Sequence, residues 1–173
     1  MDTEDLIEIT GKAQRMSERT VGVTMAIVAA LLATVTLMSH RLHTEEVVLQ
    51  TRTTDGWAYY QAKNGRFHMY AADATLARLI GPQGAAMADT WNKKAEEERQ
   101  QADDIRKSNE RLDEETRATA RRATFFDAAE ICLEIGIVLC SIALLTGQRL
   151  FWRMSIGGTA IGLATALYGF FRG

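Results

Sequence analysis

The chain has 173 residues, 47% of them hydrophobic and 24% charged, with a formal net charge of −2. Averages of this kind describe a soluble domain, but here they hide segregation, because about two thirds of the charges lie between a first and a second apolar run. Through that charged part, acids and bases are interleaved in equal number, which leaves no basic footprint for nucleic acid.

Residues 1–19 form an acidic tail (Asp2, Glu4, Asp5, Glu8) without the basic start and small-residue cleavage site of a removable signal peptide. Leu6, Ile9, Ala13 and Met16 fall at helical spacing, so the tail reads as an amphipathic helix lying at a membrane surface or packed on the bundle. Residues 21–38 are apolar, Thr, Gly and Ala without interruption, long enough with their flanks to cross a hydrocarbon layer of roughly 30 Å. A first transmembrane helix is expected over 20–38.

His40 and His43 follow it, with Glu46 near the same face. Imidazole with carboxylate suits zinc, iron or manganese, and Asp127 and Glu130 are expected at the same membrane face. The spacing is no established signature, and a histidine beside Arg41 equally well solvates a helix end. No metal and no cofactor is assigned, with His40 and His43 the nearest approach to a ligand set. His68, beside Phe67 and Tyr70, has no acidic neighbour in sequence and reads as a packing or surface residue.

Residues 39–126 are expected to form an extramembrane helical hairpin with its turn at 81–84, because Gly81-Pro82-Gln83-Gly84 holds the single proline and divides the segment into equal arms. About forty residues at 1.5 Å each would give arms of roughly 60 Å. In the outgoing arm, Asp55-Gly56 and Asn64-Gly65 are turn dipeptides that compete with helix. Trp57, Tyr60, Asn64, Phe67, Ala71 and Ala74 nevertheless share one helical stripe, which favours a helix kinked or broken near Asp55.

The run Asp55-Gly56-Trp57-Ala58-Tyr59-Tyr60-Gln61-Ala62-Lys63, between a first span and a long charged helix leading to two closing spans, resembles an uncharacterised family of bacterial membrane proteins. That family is a domain of unknown function marked by an Asp-x-Trp-x-Tyr-Tyr-Gln-Ala-Lys signature, matched here by Asp55, Trp57, Tyr59, Tyr60, Gln61 and Lys63. The resemblance extends to Phe126-Asp127 with Ala129-Glu130 and to the run 141–145, and Asn64-Gly65 directly after the signature departs from it. It implies a bacterial source and a shared architecture, and supplies no catalytic residue.

In the return arm Ala88, Ala95, Ala102, Asn109, Thr116 and Ala123 alternate at heptad spacing with Trp91, Glu98, Ile105, Leu112, Thr119 and Phe126. Such small or polar core positions supply little apolar driving force, so the arm needs a partner: the outgoing arm, copies of itself, or both. Coiled-coil-like packing is expected.

A second transmembrane helix is expected over 127–146 and a third over 153–172. Cys132 and Cys140 lie too far apart along one helix to bridge and read as small packing residues. Asp127, Glu130, Glu134 and Ser141 form one polar stripe, with Glu134 near mid-membrane. A carboxyl in hydrocarbon costs at least about 2.5 kcal/mol, so it needs a partner, a proton or water. Neighbouring helices are expected to shield it, with Thr34 or Thr36 as a hydrogen-bond partner. On the third span, Gly158, Gly162, Ala166 and Gly169 line a face that permits close helix packing.

The fold class that emerges is an all-α membrane protein with three transmembrane helices and a long extramembrane hairpin. Phosphate loops, nucleophile elbows, zinc-protease pairs and cysteine pairs with ligand spacing are absent, so no enzyme is expected. The expected function is an oligomeric scaffold in a bacterial inner membrane, self-assembling through its arm and the Gly/Ala face. The alternative is an ion- or proton-conducting oligomer lined by Glu130 and Glu134, and a subunit of a larger membrane complex is a third class. Lys12, Arg15, Arg19, Arg149 and Arg153 lean toward a periplasmic arm, with Arg117, Arg121 and Arg122 arguing the reverse.

Overall fold

The computed structural model describes the backbone of residues 3–172 and the side chains of residues 18–172. Those residues form three helices and no strand: α1 (Thr3–Arg78), α2 (Pro82–Thr146) and α3 (Arg149–Arg172). The face presented by Leu6, Ile9, Ala13 and Met16 lies outside the described side chains.

α1 continues through both Asp55-Gly56 and Asn64-Gly65, so the break expected near Asp55 does not occur. A helix-interior glycine costs only about 1 kcal/mol relative to alanine, which packing along the helix outweighs. Gly56 has a specific use, since a methyl group there would overlap the side-chain amide of Asn109, itself 2% exposed. The dipeptide marks a close approach between helices and not a turn.

The hairpin turn falls at 79–81, earlier than the expected 81–84. The Leu79, Ile80 and Gly81 amides donate three residues back, to Leu76, Ala77 and Arg78, which tightens the last turn of α1. Gly81 then takes φ of 88°, and Pro82 opens α2 where its missing N–H costs no intrahelical bond. Gly84 lies already inside α2, where a side chain would strike the Ala77 carbonyl. At the other end of α2, Gly147 at φ 69° donates to the Ala143 carbonyl, a left-handed cap that releases the chain into α3.

Two compact units are present: residues 45–118, and residues 1–44 with 119–173. In the first, Ala88, Ala95, Ala102 and Asn109 are buried and Trp91, Glu98, Ile105, Leu112 and Thr116 half-buried, as the heptad requires. They meet a second heptad on α1, which includes Tyr60, Phe67 and Ala74 of the aromatic stripe: Leu49, Gly56, Lys63, Tyr70 and Ala77 alternate with Glu46, Thr53, Tyr60, Phe67 and Ala74, and all are buried or half-buried. Within the chain, the return arm packs on the outgoing arm. Near the turn Tyr70 stacks on Trp91, with centroids 5.3 Å apart, and Lys94 lies 4.8 Å over the Trp91 ring. Deeper along the pair, Lys63 Nζ is 3.1 Å from Glu98 Oε2 with both side chains largely buried.

In the second unit, Val28, Val35 and Leu42 of α1 pack with Ala123, Phe126, Ala129 and Leu133 of α2 and Ala166 of α3. A smaller cluster joins Val21, Cys140 and Ala143 to Phe151 and Trp152. Gly162, Ala166 and Gly169 are buried and Gly158 half-buried, against α2 of the same chain. A Cβ on Gly162 would sit 3.0 Å from the Ala129 carbonyl, and one on Gly169 2.7 Å from Phe125 Cβ. The small-residue face thus serves packing within the chain, because only hydrogen there lets the backbones approach. Both cysteines are free, and Cys140 Sγ lies 3.1 Å from Ser155 Oγ.

All three helices are long and apolar enough to cross a membrane. Their apolar windows are only 17%, 28% and 22% buried within the chain, so most of those side chains face outward.

Candidate functional site

The polar residues of α2 and α1 meet along one antiparallel seam. Asp127 and Glu130 recur at helical spacing on α2, as Thr36, Ser39 and His43 do on α1, so one face of each helix presents its polar groups to the other. Ser39 Oγ donates to Asp127 Oδ1 at 2.6 Å, and His43 Nε2 lies 3.1 and 3.2 Å from the two Asp127 oxygens. One turn further on, Thr36 Oγ1 donates to Glu130 Oε1 at 2.7 Å. At the far end Ser141 Oγ donates to the Ile137 carbonyl and reaches Met25 Sδ at 3.9 Å.

Each step along α2 is answered by an equal step backward along α1, which places Leu32 opposite Glu134. Leu32 offers no donor. Among the described residues Glu134 accordingly makes no hydrogen bond or ion pair, and its side chain is exposed. Within the chain neither expected hydroxyl reaches it: Thr36 is committed to Glu130, and Thr34 donates to its own helix at Ala30. Around Glu134 on the surface of α2 stand Ile131, Ile135 and Val138, at 57%, 52% and 57% exposure.

The exposed end of the seam is His43 with Asp127, at 48% and 42% side-chain exposure. Asp127 receives the Ser39 hydroxyl and the His43 ring edge together, an arrangement that holds α1 against α2 and gives a protonated imidazole an anionic partner. His40 is exposed and takes no part in this contact. No group of three or more potential ligands capable of holding a metal occurs among the described residues, so His40 and His43 are not brought together with the acids as a ligand set. His68 is exposed beside Phe67, ring centroids 4.8 Å apart.

The aromatic run is divided by the helix into faces. Asp55, Tyr59 and Gln61 are exposed, Trp57 and Tyr60 meet edge to face at 5.6 Å, and Lys63 turns inward to Glu98. Arg66 approaches the other Glu98 oxygen at 3.8 Å. Of the Lys63–Glu98 pair and the Gly56–Asn109 contact, the sequence showed Glu98 and Asn109 only as heptad members of unusual type, Lys63 only as a signature residue and Gly56 only as part of a turn dipeptide.

The family described as Domain of unknown function (DUF4337) matches residues 17–172. The chain belongs to that family. The match takes in the seam, the hairpin and all of α3, so the arrangement described here lies within one family domain. No curated protein and no solved structure matches the chain.

Proposed function

We propose that this DUF4337 protein is a multi-pass component of a bacterial inner membrane that assembles with copies of itself and acts as a structural scaffold. The observation that carries the proposal is Glu134, an exposed carboxyl without a partner, set among outward-facing Ile131, Ile135 and Val138 on a helix apolar enough to span. In hydrocarbon such a group costs at least about 2.5 kcal/mol, and covering it with a protein surface that accepts or donates a hydrogen bond offsets that cost. Because the heptad face of α2 and the small-residue face of α3 are occupied within the chain, the Glu134 side of α2 is the surface left for a second copy. The bacterial placement rests on the resemblance carried by the Asp55–Lys63 run, and Lys12, Arg15, Arg19, Arg149 and Arg153 favour a periplasmic hairpin against the opposing Arg117, Arg121 and Arg122.

A second reading is favoured by the seam itself. His43, Asp127, Ser39, Glu130 and Thr36 form a succession of exchangeable groups leading from an exposed end toward Glu134, which suits a proton or cation path in an oligomer.

The deciding experiment is native mass spectrometry of the protein released from lipid nanodiscs, combined with flux into liposomes. The scaffold reading expects two or more copies per particle, retention of assembly by Glu134→Gln, its loss in Glu134→Leu, and no flux. Flux that Glu134→Gln abolishes in intact particles selects the conducting reading. Single copies in the wild type refute both, and co-purifying foreign chains point to a larger complex.

A further inference from the structure

Between Asp73 and Asp89 the hairpin carries a single charged residue, Arg78, although charges crowd the return arm that follows. This uncharged interval coincides with the turn. Its large apolar side chains point outward: Leu76 is 60% exposed, Leu79 79%, Ile80 68% and Met87 53%. The interior there is filled by Ala74, Ala77, Gly84 and Ala88, residues so small that the helices close tightly and leave no room between them for the larger side chains. An exposed apolar cluster at the end of a charged hairpin marks a contact surface.

We propose that this tip is a lipid-binding element, seated by Leu76, Leu79, Ile80 and Met87 in the interfacial zone of a bilayer. Three observations select lipid over protein. First, most of the turn's amide hydrogens are satisfied without water: those of Leu79, Ile80, Gly81 and Gly84 donate within the turn and Pro82 has none, which leaves Gln83 to find its acceptor in the headgroup layer. An unsatisfied N–H is costly in hydrocarbon, and turns ordinarily leave several. Second, the interval lacks any acid that a headgroup layer would repel, and Arg78 stands at the edge of the cluster, suited to phosphate. Third, the area is small. The four side chains expose on the order of 500 Å², so two tips meeting would bury about 1,000 Å², below the roughly 1,200 Å² at which stable protein interfaces begin. Insertion into lipid requires no matching partner surface.

The inference does not depend on the oligomeric reading. Its test uses the full chain in nanodiscs, which leave both faces of the disc open, mixed with fluorescent vesicles of phosphatidylcholine alone or with phosphatidylglycerol. Wild-type discs are expected to capture both kinds of vesicle on flotation, with little dependence on salt. The pair Leu79→Ser and Ile80→Ser should lower capture at least about tenfold. Leu79→Phe with Ile80→Phe should retain it. In a Trp152→Phe background, unchanged Trp57 and Trp91 fluorescence controls for the fold of the hairpin. Failure of the wild type to capture vesicles, capture undiminished by the serine pair, or capture only by vesicles that themselves carry the chain overturns the proposal, the last because a second copy would then be the occupant.

Discussion

Breaking the Lys63–Glu98 pair from one side should destabilise the hairpin far more than removing both charges. Lys63 Nζ sits 3.1 Å from Glu98 Oε2, with side chains 10% and 15% exposed, while the half-exposed Arg66 lies 3.8 Å from the other oxygen. Losing one partner of a buried pair costs about 3–5 kcal/mol, because the remaining charge stays desolvated. For Lys63→Met the nearby Arg66 offsets part of this, giving roughly 2–3 kcal/mol, whereas Glu98→Met leaves two cations together and should cost about 3 kcal/mol. The double change to methionine fills the same volume without charge and should return to within about 1 kcal/mol of the wild type. The chain has three tryptophans, so in a Trp152→Phe background denaturant unfolding can be followed through Trp57 and Trp91 in the hairpin alone. Single variants each costing under about 1 kcal/mol, or a double variant costing their sum, would refute the reasoning, since additivity means the two groups do not interact.

The two glycines of the outgoing arm should respond oppositely to alanine. Gly56→Ala collides with the Asn109 amide and should cost about 1–3 kcal/mol, recovered by Asn109→Ala. Gly65→Ala meets nothing within 4 Å and should stabilise by about 0.5–1 kcal/mol through helix propensity. The same fluorescence transitions measure both. In the other unit, Gly162→Leu forces a side chain onto the Ala129 carbonyl and Cys132 Cβ, each 3.0 Å from a Cβ there, and should detach α3, read as faster protease cleavage at residues 147–148. Gly157→Leu, with open space around it, should leave cleavage unchanged.

The helical architecture was legible because its signals are periodic and redundant: apolar runs of membrane length, a heptad in the return arm, and one proline between equal arms. The outgoing arm was harder, since Asp55-Gly56 carries the same letters whether the glycine turns the chain or makes room for Asn109, and only the opposite helix decides between them. The stripe of acids was legible on α2 by spacing alone. Its pairing was not, because the contact of Thr36 with Glu130 and of Ser39 with Asp127 depends on the register between α1 and α2. That register puts Leu32 opposite Glu134 and leaves the carboxyl outside. A mirror-image reading of α1, in which Thr36, Ser39 and His43 repeat the spacing of the acids, contains the missing signal.

Disulfide cross-linking in native membranes tests the proposed role of Glu134 most directly. In a chain with Cys132 and Cys140 replaced by alanine, Ile131→Cys and Val138→Cys, which flank Glu134, should each give chain-to-chain disulfides on mild oxidation. Ile161→Cys, exposed on α3, should give none. Equal cross-linking from Ile161→Cys, or none from the positions beside Glu134, would contradict a second copy covering that carboxyl.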